Sequence, residues 1–286
     1  MILINGKEQK LIKFPIGEIN INLDYEKTEI CNITFLYEEN EFQFLIMLLK
    51  ELRPLYKTLN LCIPYLPYSR EDRAIEGHVF ALQHIAEDIN KIGLDNVYFL
   101  DAHSEKSTNL VARSYSKPFI KNVFDSSLTF FDFVKRHDYI LFPDAGAQNR
   151  YGGLFDGYNI LTANKKRDQD GKITEIVIND CPDLDGKNVI IIDDLCCKGG
   201  TFMGVAKILR QQKAHRVYLC VTHCENSIID GDILKTDLID VVSTTNSIIA
   251  IGSVDNSCWQ IYHNKRIKVM DIKKIHEELK EKYLMI

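Results

Sequence analysis

Short apolar runs recur along the chain, each followed by a polar turn and then by a longer segment of helical length. In the first half, Cys31-Asn-Ile-Thr-Phe-Leu-Tyr37 predicts a strand, and Glu41 to Leu52 predicts a helix with Pro54 just beyond its end. Leu59 to Ile63 reads as a second strand, Val79 to Ile92 as a helix closed by Gly93, and Asn96 to Leu100 as a third strand ending at Asp101. The second half repeats the rhythm. Strands are expected at Tyr139 to Phe142, Asn159 to Thr162, Val189 to Ile192, Arg216 to Val221 and Asp240 to Val242, with a helix over Phe202 to Arg210. Met270 to Leu284 has the pattern of a charged amphipathic terminal helix. Strands alternating with helices predict an α/β fold with parallel sheets. In such sheets ligands gather beyond the carboxyl ends of the strands, and the polar clusters of this chain lie just past those ends.

The segment Asn188-Val-Ile-Ile-Ile-Asp-Asp-Leu-Cys-Cys-Lys-Gly-Gly-Thr201 carries the most chemistry. An apolar run suited to a strand buried on both faces leads into the acid pair Asp193 and Asp194. A loop with Gly199, Gly200 and Thr201 comes next, and then a helix. Glycines let backbone N–H groups approach an anion, and the start of a helix adds a favourable dipole. The acids stand where a ribose offers hydroxyls or a divalent cation bridges, so the segment suits a ribose phosphate. It is not the G-x-x-x-x-G-K-[ST] loop, because Lys198 precedes the glycines. The bland alternative is a tight strand-to-helix turn of any α/β protein.

Composition narrows the class. The chain has 286 residues, 45% hydrophobic and 26% charged, as expected of a globular protein with one large domain or two small ones. A net charge of -5 argues against a nucleic-acid partner. No apolar stretch is long enough to span a membrane, and the N-terminus lacks a signal-peptide pattern. The eight cysteines include no C-x-x-C pair, so they are expected to be reduced thiols in a cytoplasmic protein, and a zinc role for His223 and Cys224 is disfavoured.

Four further clusters come after strands. Ile63-Pro-Tyr-Leu-Pro-Tyr-Ser-Arg-Glu-Asp-Arg73 sets Arg70 and Arg73 beside two tyrosines and two acids, Glu71 and Asp72. Arginines grip phosphates through forked hydrogen bonds; the other reading is a surface loop with local ion pairs. Asp101-Ala-His-Ser104 pairs an acid with His103, fit for a metal-bound phosphate or a proton shuttle, or for a plain helix cap. Asp144 precedes a small-residue turn. Ala163-Asn-Lys-Lys-Arg-Asp168 places three cations in a row, either a solvated loop or mobile charge for phosphoryl transfer.

Taken in order, these clusters resemble those of the ribose-phosphate pyrophosphokinases (phosphoribosyl pyrophosphate synthetases), along nearly the whole chain. Phe14-Pro-Ile-Gly-Glu18, Ile63 to Arg73, Asp101 to Ser104, Pro143-Asp-Ala-Gly-Ala147, Lys165-Lys-Arg167, the loop ending at Thr201, and Thr222-His223 follow one another in the order of the family's corresponding motifs. The resemblance implies two tandem domains of the type I phosphoribosyltransferase-like fold, each a mainly parallel sheet flanked by helices. Lys117-Pro118 suggests the boundary, giving domains over 1–120 and 121–286. It also implies transfer of the β,γ-diphosphate of ATP to the anomeric hydroxyl of ribose 5-phosphate, with release of AMP. By position, Arg70, Glu71, Asp72 and Arg73, with Phe14 and Glu18, would bind ATP. Asp101, His103 and Asp144 would surround Mg²⁺ and the phosphates, and Lys165 and Arg167, with His103, would act in catalysis. Asp193 and Asp194 would take the ribose hydroxyls, and Cys197, Lys198, Gly199, Gly200 and Thr201 the 5′-phosphate. Because the family's Phe14-to-Glu18 segment enters a neighbouring subunit's ATP site, a homo-oligomer is expected, a dimer at least and a hexamer as the larger option.

Several positions depart from the family. Glu71 replaces a glutamine and Ile16 an aspartate, while Cys197 and Lys198 replace small oxygen-bearing residues. Lys198 at the 5′ end points to a larger or more charged acceptor such as ADP-ribose, and so to dinucleotide (NAD) metabolism; otherwise it merely faces solvent. Two rivals are a phosphoribosyltransferase and a catalytically silent regulatory subunit. A transferase would need only one such domain, and the silent subunit would be expected to have lost Lys165, Arg167 or His103.

Overall fold

A computed structural model describes residues 1–23, 28–38, 41–167, 173–249, 259–262 and 266–272. The side chains of Arg167, Ile173, Thr174 and residues 259–262 lie outside that description. So do Asp168 and the greater part of the expected terminal helix. The chain divides into two compact units, Met1–Pro118 and Phe119–Ile286.

The first unit opens with β1 (Ile2–Ile4) and β2 (Lys7–Glu8), followed by a hairpin of β3 (Leu11–Lys13) and β4 (Ile19–Ile21) that forms its own small sheet. Then come β5 (Ile30–Phe35), α1 (Phe42–Leu52), β6 (Thr58–Cys62), α2 (Ala81–Ile92), β7 (Asn96–Leu100), α3 (Glu105–Leu110) and β8 (Ser114–Lys117). The sheet order is β2-β1-β5-β6-β7-β8. Strands β5 to β8 run parallel, with β1 and β2 added antiparallel at one edge. The core joins Ile33 and Phe35 of β5, Leu59 and Leu61 of β6, and Val97 and Phe99 of β7 to Leu45 and Leu49 of α1. Helix α1 buries Phe44, Leu45, Leu48, Leu49 and Leu52, the spacing of one helical face.

In the second unit come α4 (Ile120–Ser127), β9 (Tyr139–Phe142), α5 (Ala145–Tyr151), β10 (Asn159–Arg167), β11 (Ile173–Ile178), β12 (Asn188–Cys196) and α6 (Gly200–Gln211). Strands β13 (Arg216–Cys224), β14 (Val241–Thr245), β15 (Trp259–Tyr262) and β16 (Ile267–Met270) complete it. The order is β11-β10-β9-β12-β13-β14-β16-β15, parallel except for the two edge strands β11 and β15. Strand β12 lies inside this sheet, and Val189, Ile190, Ile191 and Ile192 are fully buried. Each such side chain contributes about 1.5–3 kcal/mol relative to exposure, so this strand anchors the acid pair at its end and the loop into α6. Helix α6 buries Phe202, Val205, Ala206 and Leu209 at helical spacing.

Two expected boundaries shift. Strand β12 does not stop at Ile192 but continues through Asp193 and Asp194 to Cys196, paired in register with β13 from Asn188↔Arg216 to Cys196↔Cys224. Strand β10 likewise runs past Thr162 to Arg167, because β11 pairs antiparallel with it and satisfies its backbone. The cationic run Lys165 to Arg167 is thus strand and not loop. At the far end, Met270 closes β16 and does not begin a helix. Among the described residues, no helix is long and apolar enough to cross a membrane.

Candidate active site

In the second unit the site is built at the carboxyl ends of β9, β10 and β12. Asp144, just beyond β9, caps α5: its Oδ1 accepts from the Ala147 amide at 3.0 Å. Its Oδ2 accepts from Lys165 Nζ at 2.9 Å. Burial alone would raise the Asp144 pKa, but the amide and the lysine outweigh it and hold it below the ordinary carboxylate value. Lys165 is therefore fixed from β10 against the start of α5, with its side chain largely covered.

Arg150, in the last turn of α5, has its guanidinium on both acids of β12. Its Nη2 donates to Asp193 Oδ1 at 3.1 Å and to Asp194 Oδ1 at 2.9 Å. Asp193 Oδ1 also accepts from the Asp194 amide at 2.9 Å. Two neighbouring carboxylates thus share one cation. Burial and the adjacent Asp194 charge push the Asp193 pKa well above its usual value, despite Arg150. Hydroxyl donors of a ribose or a cation would relieve this excess of acceptors.

Beyond β12 the chain turns sharply. Gly199 takes a left-handed backbone, φ +85°, and a Cβ there would lie 2.1 Å from Ile233 Cδ1. A Cβ on Gly231 would lie 2.4 Å from the Lys198 carbonyl oxygen, so the two backbones touch. This clamp fixes the loop at the start of α6, where no side chain caps the helix. The first amides of α6 therefore point to an anion site. Cys197 Sγ donates to Glu225 Oε1 at 2.9 Å, while the Lys198 side chain is exposed.

In the first unit, the candidate ATP residues sit on two neighbouring strand exits. Arg70, Glu71 and Arg73 are exposed on the loop after β6, and Lys106 Nζ of α3 donates to the Asp72 carbonyl at 2.8 Å. Asp101, at the end of β7, is buried and held at φ +40°. Tyr68, in the loop after β6, has φ +61°. Non-glycine residues in this region cost about 1 kcal/mol or more and cluster at functional sites. The Asp101 amide donates to the Lys117 carbonyl at 2.9 Å, and half-buried His103 stands on the same strand exit. Phe14 and Glu18 bracket the β3–β4 turn, where the Phe14 amide donates to the Glu18 carbonyl at 2.8 Å. Phe14 is 46% and Ile16 82% exposed at this tip.

The structure therefore joins Asp144 to Lys165, and Asp193 to Asp194, and places Cys197 to Gly199 in one turn, with Gly200 and Thr201, expected in that loop, opening α6. Among the described residues, no group of three or more His, Cys, Asp or Glu gathers as a metal cage. His223 is buried, with Nδ1 2.7 Å from Ser247 Oγ, a satisfied interior histidine. Sequence reasoning missed Arg150, Lys106 and Glu225. Arg150 carried one faint signal: it stands six residues after Asp144 on the helix that Asp144 starts.

Residues 157–265 match the phosphoribosyl transferase domain family. The ribose-phosphate pyrophosphokinase of Pyrococcus furiosus is 28% identical over 247 residues, 82% of this chain and 84% of that one. The ribose-phosphate pyrophosphokinase of a Nostoc species is 26% identical over 284 residues, 90% and 84% of the two chains. The fold matches the crystal structure of phosphoribosylpyrophosphate synthetase from Mycobacterium smegmatis with a TM-score of 0.73 at 18% identity, covering 97% of this chain and 90% of that one.

Two outcomes are expected of this site. Gly199→Ala should destabilise the protein by about 2 kcal/mol or more, from the left-handed backbone and the clash with Ile233; a urea midpoint equal to the parent's would refute the clamp. Asp193 has a raised folded-state pKa, so its contribution is fully present below the unfolded carboxylate value of about 3.9 and is lost as pH rises through the folded one. Asp193→Asn should therefore unfold at a higher temperature than the parent at pH 7, with the gain shrinking towards pH 4. A gain independent of pH would remove the strained acid pair as its cause.

Proposed function

We propose that the chain is a member of the ribose-phosphate pyrophosphokinase family and that it transfers the β,γ-diphosphate of ATP to the anomeric hydroxyl of a ribose-phosphate acceptor and releases AMP. The observation that supports this best is the extent of the likeness. Relatives of that name match over 82% and 90% of the chain, well beyond the single phosphoribosyl transferase domain at 157–265. A base-accepting phosphoribosyltransferase would need only that domain.

In this reading, Arg70, Glu71, Asp72 and Arg73 hold ATP, with Phe14 and Glu18 supplied by a second copy. The apolar, exposed hairpin tip supports a homo-oligomer, with a dimer as the least unit and a hexamer as the larger option. Asp193 and Asp194 receive the ribose hydroxyls, backed by Arg150. Gly199, Gly200 and Thr201 receive the 5′-phosphate on the uncapped start of α6. Lys165 and Arg167 balance the charge that spreads over the transferred group, with Lys165 leaving Asp144 to do so. His103 stands beside the phosphates. Asp101, His103 and Asp144 are the residues that would hold Mg²⁺, an ion commonly bound through one or two carboxylates plus phosphate oxygens and water. Bound Mg²⁺ would offset the charge of the triphosphate. Among the described residues the cysteines form no disulfide, in keeping with a reducing cytoplasm.

Ribose 5-phosphate is the acceptor the family name implies. ADP-ribose, with a free anomeric hydroxyl and a 5′-diphosphate, is the alternative that Cys197 and Lys198 favour, because both depart from the family's pattern where the 5′ end would lie.

The test is AMP release from ATP and Mg²⁺ with each acceptor. Turnover with ribose 5-phosphate makes the chain a nucleotide-precursor synthetase. Turnover with ADP-ribose alone places it in dinucleotide metabolism, and turnover with neither overturns the proposal. Lys165→Ala should lower kcat by about 100-fold or more while KM for ATP moves only a few-fold, because the lysine acts in the transition state. Full turnover in that variant would remove Lys165 from the mechanism.

A further inference from the structure

Resting on the pyrophosphokinase reading, we propose that Arg266 is a positioning residue for acceptor binding: it grips the segment that clamps the turn into α6, and thereby sets the shape of that turn. Arg266 stands just before β16 and is half-buried. Its guanidinium is given to backbone carbonyls of a single segment. Nη1 donates to the Leu234 carbonyl at 3.0 Å, and Nη2 to the carbonyls of Ile233 at 2.9 Å, Thr236 at 2.6 Å and Ile239. That segment holds only two short 3-10 turns, Asn226–Ile229 and Ile233–Lys235, so its carbonyls need donors from outside it. The planar fork of an arginine can serve several of them at once, which a single ammonium does not match in geometry.

Ile233 carries this grip to the turn. Its carbonyl is held by Arg266, and its fully buried side chain fills the space in front of Gly199, where a Cβ would lie 2.1 Å from Ile233 Cδ1. Two residues earlier, a Cβ on Gly231 would stand 2.4 Å from the Lys198 carbonyl oxygen. The segment thus meets the turn at two successive residues, Lys198 and Gly199. Its far end is tied to α6 itself. Arg210, in the last turn of that helix, donates to the carbonyls of Leu238 and Asp237 at 3.1 Å each and to Asp240 Oδ2 at 2.6 Å. Arg210 anchors the segment along α6, and Arg266 holds Ile233 up to the turn. A close-packed interior transmits such a displacement, because no void absorbs it. Loosening the segment would let Gly199 and the first turn of α6 relax, and small misplacements of a binding group weaken its contacts.

The test compares the parent with Arg266→Gln, which removes the cation and most of the fork, and with Arg266→Lys, which keeps the charge alone. A third variant, Ile233→Val, removes Cδ1, the atom nearest Gly199. For each, kcat and both KM values are measured by AMP release, with whichever of ribose 5-phosphate and ADP-ribose the parent uses. Arg266→Gln should raise KM for the acceptor by about tenfold, the scale of one lost hydrogen bond to a charged group. Its kcat and its KM for ATP should stay within about twofold of the parent. Arg266→Lys should fall between the two. Ile233→Val should move the acceptor KM in the same direction, and the double variant with Arg266→Gln should show less than the product of the two effects, because both loosen one contact. Hydrogen exchange supplies a readout independent of turnover. The Met203 amide donates to the Gly199 carbonyl at 3.0 Å, and its deuterium uptake should quicken in each variant while β12 keeps the parent rate. Equal rises in KM for ATP and acceptor, fully multiplicative effects in the double variant, or uptake that quickens uniformly would overturn the proposal. Should Arg266→Gln fail to fold, Arg266→Lys carries the same comparisons. If the parent releases no AMP with either acceptor, it is the pyrophosphokinase reading that fails, and uptake at Met203 alone decides whether Arg266 sets the turn.

Discussion

Two adjacent carboxylates at the end of a buried strand set the central problem of this structure. Burying charge is expensive unless it is paired and hydrogen-bonded. Asp193 and Asp194 share one guanidinium, that of Arg150, with an amide hydrogen bond between the two residues. This arrangement links three elements: β12 carries the acids, α5 carries the arginine, and Asp144 starts α5 after β9. Burial and the adjacent Asp194 charge outweigh the Arg150 guanidinium, which is why Asp193 resists ionisation. A site tuned only for stability would favour apolar residues there. In the proposed reading, the hydroxyls of a ribose would supply the missing donors.

The same logic runs through Asp144 and Lys165. The lysine sits on β10 and the aspartate beyond β9, two paired parallel strands. Because β11 extends β10 through its cationic end, Lys165 is held in position by backbone pairing. Its charge is already balanced by Asp144. Work on a transferred phosphoryl group would then replace one anion with another, at a smaller desolvation cost than bringing a free ammonium out of water.

Much of the architecture was legible in the sequence because buried parallel strands read as continuous apolar runs. Strands β7 and β9 fall at the residues expected, and helices α1 and α2 begin one and two residues late. Legibility failed where polar residues sit in strands. Asp193, Asp194 and the run Lys165 to Arg167 read as loop by composition, yet hydrogen bonds to β13 and β11 keep them extended. Short edge strands such as Lys7–Glu8 bury nothing and leave no pattern. The candidate site was legible as ordered motifs on separate strand exits. Arg150 and Glu225 were not, because their roles arise from contacts 43 or 44 and 28 residues away in sequence, which no local pattern encodes.

The loop before α6 shows how kinship and specificity separate. Its backbone is dictated by packing: Gly199 must yield to Ile233, and Gly231 must let the Lys198 carbonyl close in. Those constraints preserve an uncapped helix start, a feature any phosphate can use. The side chains around it are under no such constraint. Cys197 donates to Glu225, and Lys198 reaches into solvent. A shared fold can thus preserve the backbone of a turn while the side chains beside it vary. That division lets a chain share the order of motifs of the ribose-phosphate pyrophosphokinases it resembles while its side chains beside the turn differ from theirs.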